Sequence, residues 1–492
     1  MDPYARNETF LLTFMLNVYE PLVRRDAQLR LEPSLATQWA QVAPTVWRFT
    51  LRQGVRFHDG SPFTADDVVF SYHRVTSGGS NLKGNFATAK GIRKIDEFTV
   101  EVDTDGVDPI FPEQLTVWGI MSKAWAEKNN AAVASDITKN EENFATRNAN
   151  GTGPFMLKSR EPDVKTVLVR NPGWWDKATH DVDEATFFRI GNDATRVAAL
   201  LSGEVDFVYT VPPQDHDRLG RTSGLKIVQG PELRVIYLSF DQLRDELTDS
   251  PLKGKNPFKD KRVRQAFYQA IDVEAIKSRV MRNQSVPIGS LVGPGVNGYV
   301  PEIGGRAAPY DPEAARRLLA AAGYPQGFEV TLDCPNDRYV NDEAICTAVV
   351  GMLARVGMKV NLNAQTRARF FAKVNAPGFN TSFYLLGWTP STYDAHNVLI
   401  SLMHSRDNAR SRGQFNNGGY SNAEVDMLTD LVAKETDKAR RQAYITRAFR
   451  LLADDFGYIP LHQQTIVWAM KRNVDVVQTP DNYFYLRNVK IR

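Results

Sequence analysis

The chain has 492 residues, too many for one hydrophobic core, and a globular composition of 42% hydrophobic and 24% charged residues. Its 60 basic and 57 acidic residues leave a formal net charge of +3 with no long basic run, which argues against a nucleic-acid surface and a polybasic membrane anchor. The apolar stretch at 10–16 is far too short to cross a bilayer, and nothing after Met1 has the charged, apolar and small-residue order of a secretory signal.

Taken along the chain, elements alternate in the mixed α/β manner, with no internal repeat or low-complexity linker. Trp47, Phe49 and Leu51 alternate with Arg48, Thr50 and Arg52, which predicts a half-buried strand, and Val55 and Phe57 continue its apolar side. Asp59-Gly60 breaks it, and Thr64 is placed to N-cap a helix with Asp67 in the first turn. A strand over 167–172 leads to Trp174-Trp175, and 195–206 reads as a helix ending at Gly203 before a strand at 205–209. Another strand covers 235–240. Asp260 caps a helix over 260–271 whose Val263, Ala266, Phe267, Ala270 and Ile271 share one face. Asp311-Pro312 opens a further helix that Gly323 closes. Cys334 and Cys346 are twelve apart, at a strand end and in the first turns of the next helix. Such positions can lie within disulfide reach, and a bond there would be worth about 3 kcal/mol in the loop-entropy model. Two separate buried thiols are the alternative.

The wording of 47–71, from Trp47-Arg48-Phe49 through Phe57-His58-Asp59-Gly60 to Asp67-Val68, resembles the signature of extracytoplasmic solute-binding proteins of peptide and nickel ABC importers. Asn171 with Trp174-Trp175, Arg196 to Asp206, Asn256 to Asp272 and Tyr310 to Pro325 match that family in the same order. The resemblance implies an α/β, two-lobed periplasmic binding protein fold (type II, cluster C) with mixed sheets and a two-strand hinge. Lobe 1 is then expected at 1–240 plus 466–492, with an extra subdomain inserted over about 38–157. Lobe 2 is expected at 241–465, and the hinge near 240 and 465, where few residues need absorb the motion.

It also implies a role: the substrate-binding component of an ABC importer, capturing a peptide, a peptide-like compound or another small polar solute by hinge closure. The expected partners are that solute and a homo- or heterodimeric permease with ATPase subunits, with no nucleic acid and no cofactor, and the protein itself a monomer. The expected location is periplasmic or otherwise extracytoplasmic, with the signal segment missing from this numbering, because the family's Asp-Pro follows a signal and a first strand, whereas Asp2-Pro3 follows Met1.

For the ligand site, the resemblance points to Tyr19 and Glu20, to Gly153 in the loop 151–155, and to Trp388 at the carboxyl end of a strand, where α/β sheets present ligands. Trp118 is a second candidate aromatic wall, and Asn416 sits in a polar turn. Arg367 could meet a carboxylate bidentately, although a solvated helix face is the commoner fate. Peptide-binding relatives commonly carry an Asp three residues after the Trp to pair with the ligand's α-amine; here that residue is Ser391. A hydroxyl cannot neutralise a buried ammonium. The ligand is therefore expected either to lack a free amine or to have it held by Glu20 or Asp394, with Tyr393 and Asp394 completing the loop.

Other classes have less in their favour. The seven histidines show no H-E-x-x-H spacing, and no G-x-S-x-G elbow occurs. Asp394, His396 and His404 come closest to a catalytic constellation, and ordinary surface or core histidines account for them better. A protein that is not an enzyme and holds no metal is expected. Nickel-chelate binding, and a receptor or chaperone of the same fold uncoupled from transport, are the alternatives.

Overall fold

The computed structural model describes residues 1–6, 9–136, 139, 141–375 and 378–492. The chain divides into two units: unit 1 holds Met1–Val211, Arg218–Gly230 and Val467–Arg492, and unit 2 holds Pro212–Asp217 and Pro231–Ile466.

In unit 1 the alternating pattern becomes the strand Val46–Leu51, whose Trp47, Phe49 and Leu51 are buried. It lies in a four-stranded antiparallel sheet between Ala36–Ala43 and Thr99–Thr104, with Ala89–Asp96 beyond. The helix Ala65–Thr76 packs on the last two strands, with Val68, Tyr72 and Val75 buried. Its start is a capping box: Thr64 accepts from the Asp66 N–H at 3.3 Å, and Asp67 accepts the Thr64 N–H at 2.9 Å. Asp67 also accepts the Lys123 N–H at 2.9 Å, so one buried carboxylate serves two helix starts. A second, three-stranded sheet joins Phe155–Glu161, Lys165–Arg170 and Glu184–Phe188. The helix Asp193–Ser202 starts earlier than the sequence reading placed it, because Asn192 caps the Thr195 N–H at 2.9 Å; it ends at Gly203 in a left-handed conformation, φ 82°.

Unit 2 is built on a mixed sheet. Val235–Phe240 pairs antiparallel with Phe383–Trp388, and Glu329–Pro335 runs parallel to Phe383–Trp388 on one side and Lys359–Gln365 on the other. Phe240, Phe258, Phe267, Phe328 and Phe383 form the aromatic centre of its core, with Phe240 and Phe383 stacked at 5.5 Å between ring centroids. The helices Lys261–Ala270 and Pro312–Ala321 are capped by Asp260 and Asp311. Cys334 and Cys346 form a disulfide that ties the strand Glu329–Pro335 to the helix Asp342–Ala354.

Two long strands run from one unit into the other, Leu225–Phe240 and Tyr458–Lys471. The division falls inside both, at 230/231 and at 466/467. The first therefore lies well before residue 240. The reason is that Val235–Phe240 is hydrogen-bonded into unit 2's sheet along its whole length.

Candidate functional site

In unit 1, four segments distant in sequence meet around residues 17–20. Asn17 is the tether: its Nδ2 donates to the carbonyls of Thr13 (2.9 Å) and Phe484 (3.1 Å), and its Oδ1 accepts from the Leu486 N–H (2.8 Å). The Gly151–Gly153 loop lies on the same segment, with the Gly153 N–H donating to Val18 O at 2.9 Å. This approach requires glycine. A Cβ on Gly151 would sit 2.0 Å from Val18 O, and one on Gly153 2.7 Å from it.

His58, from the signature stretch, holds that loop. Its Nδ1 accepts the Gly151 N–H at 3.3 Å, and its Nε2 lies 3.0 Å from the Gly153 carbonyl. A ring nitrogen that accepts carries no proton, so the other carries it and donates: the imidazole is neutral, protonated at Nε2. Burial pushes its pKa down to about 4, in keeping with that form.

Glu20 is 1% exposed. Its carboxylate accepts from Trp174 Nε1 (3.1 Å), Trp175 Nε1 (2.7 Å) and Thr152 Oγ1 (2.8 Å). Burial pushes its pKa up, and the three donors only partly offset that. Arg52 stacks over the Trp175 ring at 4.2 Å, and Arg24 lies 5.8 Å from it while paired with Glu32 and Asp176. Tyr19 is fully buried beside Gly119, whose Cβ would come within 2.6 Å of the Tyr19 Cβ. Trp118 is 1% exposed and packs edge-on against Phe86 at 5.0 Å, inside the core of unit 1.

In unit 2, the strand Phe383–Trp388 delivers Gly387-Trp388 to its carboxyl end. Gly387 makes room for Tyr339, whose ring would be 2.9 Å from a Cβ there and whose hydroxyl donates to Gly387 O at 3.2 Å. Trp388 is partly exposed and rests against Phe415 at 4.9 Å. Its Nε1 donates to Asn397 Oδ1 at 2.9 Å, and Asn397 Nδ2 donates to Ser391 Oγ at 3.2 Å. Asn397 thus couples the two residues that the sequence reading singled out.

Asp394 is turned away from this arrangement. At 1% exposure it forms a two-pronged ion pair with Arg441 (2.9 and 2.8 Å), accepts from Asn297 Nδ2 at 2.7 Å and caps the turn Ala395–Val398 through the His396 N–H. Tyr393 is buried with φ 56°, a left-handed bend that directs the chain from Ser391 into this buried pair. Asn416 is fully buried as the staple of its own loop, bonded to the backbone of His404 and Tyr420. Arg367 opens the helix Arg367–Val374, partly buried, with its N–H held by Asp337. The structure thus brings Tyr19, Glu20 and Gly153 together in unit 1 and Trp388 and Ser391 together in unit 2. Trp118, Asp394 and Asn416 lie in the packing behind them.

Sequence reasoning did not join Trp174 and Trp175 to Glu20, or Arg441 to Asp394, because those partners lie 154, 155 and 47 positions apart. A buried acid needs donors, but nothing local names them. Among the described residues no group of three His, Cys, Asp or Glu is placed to hold a metal, and no helix is long and apolar enough to cross a membrane.

The architecture is that of periplasmic solute-binding proteins. The ABC transporter-associated periplasmic binding protein DppA from Helicobacter pylori, in complex with the peptide STSA, superposes with a TM-score of 0.83 at 23% identity, over 100% of this chain and 95% of that one. AgaA from A. tumefaciens R10, in complex with agropinic acid, gives 0.81 at 23% identity, over 100% and 95%. The model of the bacterial extracellular solute-binding proteins, family 5 (middle region), matches residues 30–410, and the chain belongs to that family. In sequence it is 25% identical over 484 residues to the glutathione-binding protein GsiB of Salmonella paratyphi A, covering 96% of this chain and 88% of that protein. Its role is that of a substrate-binding protein of this family.

Proposed function

We propose that the protein is the periplasmic, non-enzymatic binding component of an ABC importer, that it works as a monomer with a permease and its ATPase subunits, and that its solute is peptide-like but not held by an α-amine at the Trp388 loop. Capture is by hinge bending at the two strands that pass from unit 1 into unit 2. The observation that carries the ligand reading is the chemistry of 387–394. Its one acid, Asp394, is bound on both oxygens by Arg441, and Ser391 offers a hydroxyl tied to Asn397. An ammonium brought there would meet no available charge. Glu20, the other acid considered for that task, already accepts three hydrogen bonds. The relatives' names support a peptide-like solute without fixing how its amine is held: one is named for binding glutathione, one is in complex with agropinic acid and one with the peptide STSA.

A thermal-shift screen with di- and tripeptides, glutathione, opines and sugars tests it, because a ligand that binds only the native state raises the melting temperature. Glutathione- or opine-like compounds are expected to stabilise the protein more than simple dipeptides do, and to be recovered chemically unchanged. Dipeptides binding tightest, or turnover of the bound compound, would overthrow the reading.

A further inference from the structure

Arginine side chains in unit 1 are mostly accounted for. Arg25 pairs with Glu113, Arg74 with Asp2, Arg24 with Glu32 and Asp176, and Arg52 donates to Ser34 O at 3.0 Å. Arg487 differs. Among the described residues its guanidinium makes neither an ion pair nor a hydrogen bond, and its contact is with a ring: its Cζ lies 4.3 Å above Tyr485. It is partly buried, so it has given up part of its hydration without an anion in exchange, which is a costly state for a cation.

Its place is fixed from both sides. Asn17 binds Phe484 O and the Leu486 N–H, the turn Leu486–Asn488 follows, and Thr179 Oγ1 donates to Arg487 O at 3.3 Å. The same Asn17 leads into Tyr19 and Glu20, so the guanidinium stands within electrostatic range of Glu20, Glu32 and Arg24. Glu20 makes no hydrogen bond to it; its carboxylate accepts from two indoles and a hydroxyl instead. Arg24, paired with Glu32 and Asp176, is close enough to repel it, and the Arg24 Nη1 is buried without a partner. The guanidinium of Arg487, its donors outstanding above the face of Tyr485, offers a fork to a planar anion.

We propose that Arg487, stacked on Tyr485, is the carboxylate anchor of unit 1's part of the binding site, and that the solute is accordingly an acid with a carboxylate free to be recognised. This rests on the solute-binding reading above and adds the ligand's charge to it. The planar fork suits two parallel bonds to a carboxylate, and the Tyr485 ring sets its plane.

The test is calorimetry on wild type, Arg487→Gln and Arg487→Lys with matched acids and blocked forms: glutathione against its diethyl ester, and Met-Leu against its amide. Wild type is expected to bind the acid of at least one pair tenfold or more tighter than its blocked form. Arg487→Gln should weaken that acid by about 10- to 100-fold and leave the blocked form unchanged, with Arg487→Lys between the two. An Arg487→Gln protein that binds the acid like wild type, or loses acid and blocked form equally, overturns the proposal while the solute-binding reading stands. Wild type binding neither member of either pair at 1 mM overturns both. Where the ligand-free Arg487→Gln protein melts more than about 5 °C lower, Arg487→Lys carries the comparison, since it keeps the charge and loses the fork.

Discussion

Glu20 in unit 1 and Asp394 in unit 2 are equally buried, each 1% exposed, yet they are held by opposite means. Asp394 is neutralised by a cation, with Arg441 meeting both of its oxygens. Glu20 receives two indole N–H groups and one hydroxyl, all uncharged, and its pKa is pushed up. The first arrangement locks a charge into the packing. The second leaves a carboxyl whose protonation state still responds to its surroundings. An acid near a ligand site is thus a candidate for ligand chemistry only when its partners leave it something to do.

The comparison breaks most sharply at the ion pair. Asp394→Asn should cost about 3–5 kcal/mol, because Arg441 would be left buried with its charge uncompensated. Urea denaturation checks this, and a loss under 1 kcal/mol would show that the pair is not what holds the 387–397 loop.

Glu20→Ala should cost about 3 kcal/mol by stranding three donors. Glu20→Gln, which imitates the protonated acid, should cost about 1 kcal/mol. The pH dependence sharpens this further. A carboxyl with a raised pKa in the folded state binds more protons there than when unfolded, so its contribution to stability falls as pH rises from the ordinary value of 4.5 through the raised one. The penalty of Glu20→Gln should therefore be smaller at pH 7.5 than at pH 4.5. An equal penalty at both would place the titration elsewhere.

His58 has the opposite sign. Its pKa is lowered from 6.5 to about 4, so the unfolded chain binds the extra proton first, and stability falls as pH drops from 6.5 toward 4. His58→Gln should flatten part of that slope, read from urea midpoints across the window. The smallest effect on stability, within about 0.5 kcal/mol, is expected for Ser391→Asp. It should nevertheless raise affinity for dipeptides with a free amine, and calorimetry showing no gain would separate the loop's acid deficit from ligand choice.

What was legible in the sequence was local chemistry. Thr64, Asp260 and Asp311 cap their helices through N–H groups two or three residues away, so the pattern and its cause lie in one window. The disulfide was legible as a possibility, since a strand end and the next helix start are close by construction. The signature words identified the family. They did not reveal that the division between units falls inside the strand Leu225–Phe240, because an uninterrupted apolar strand carries no mark where its neighbours change. Nor did they reveal Asn397, which joins Trp388 to Ser391, or the guanidinium of Arg487, which makes no ion pair or hydrogen bond among the described residues. Those depend on what comes near in space, and the absence of a counter-ion cannot be read from a residue's own neighbourhood in sequence.

The His58 ring bridges a loop N–H and a loop carbonyl, and only the neutral form can do both. Once protonated it has two donors, so one of the contacts becomes a repulsion between N–H groups. The backbone at 151–153 would then lose a fixed point without any change in the solute. Acid release of a bound compound near pH 4 would in that case begin in the scaffold beneath the site, and a solute with no titrating group would be released along with the rest.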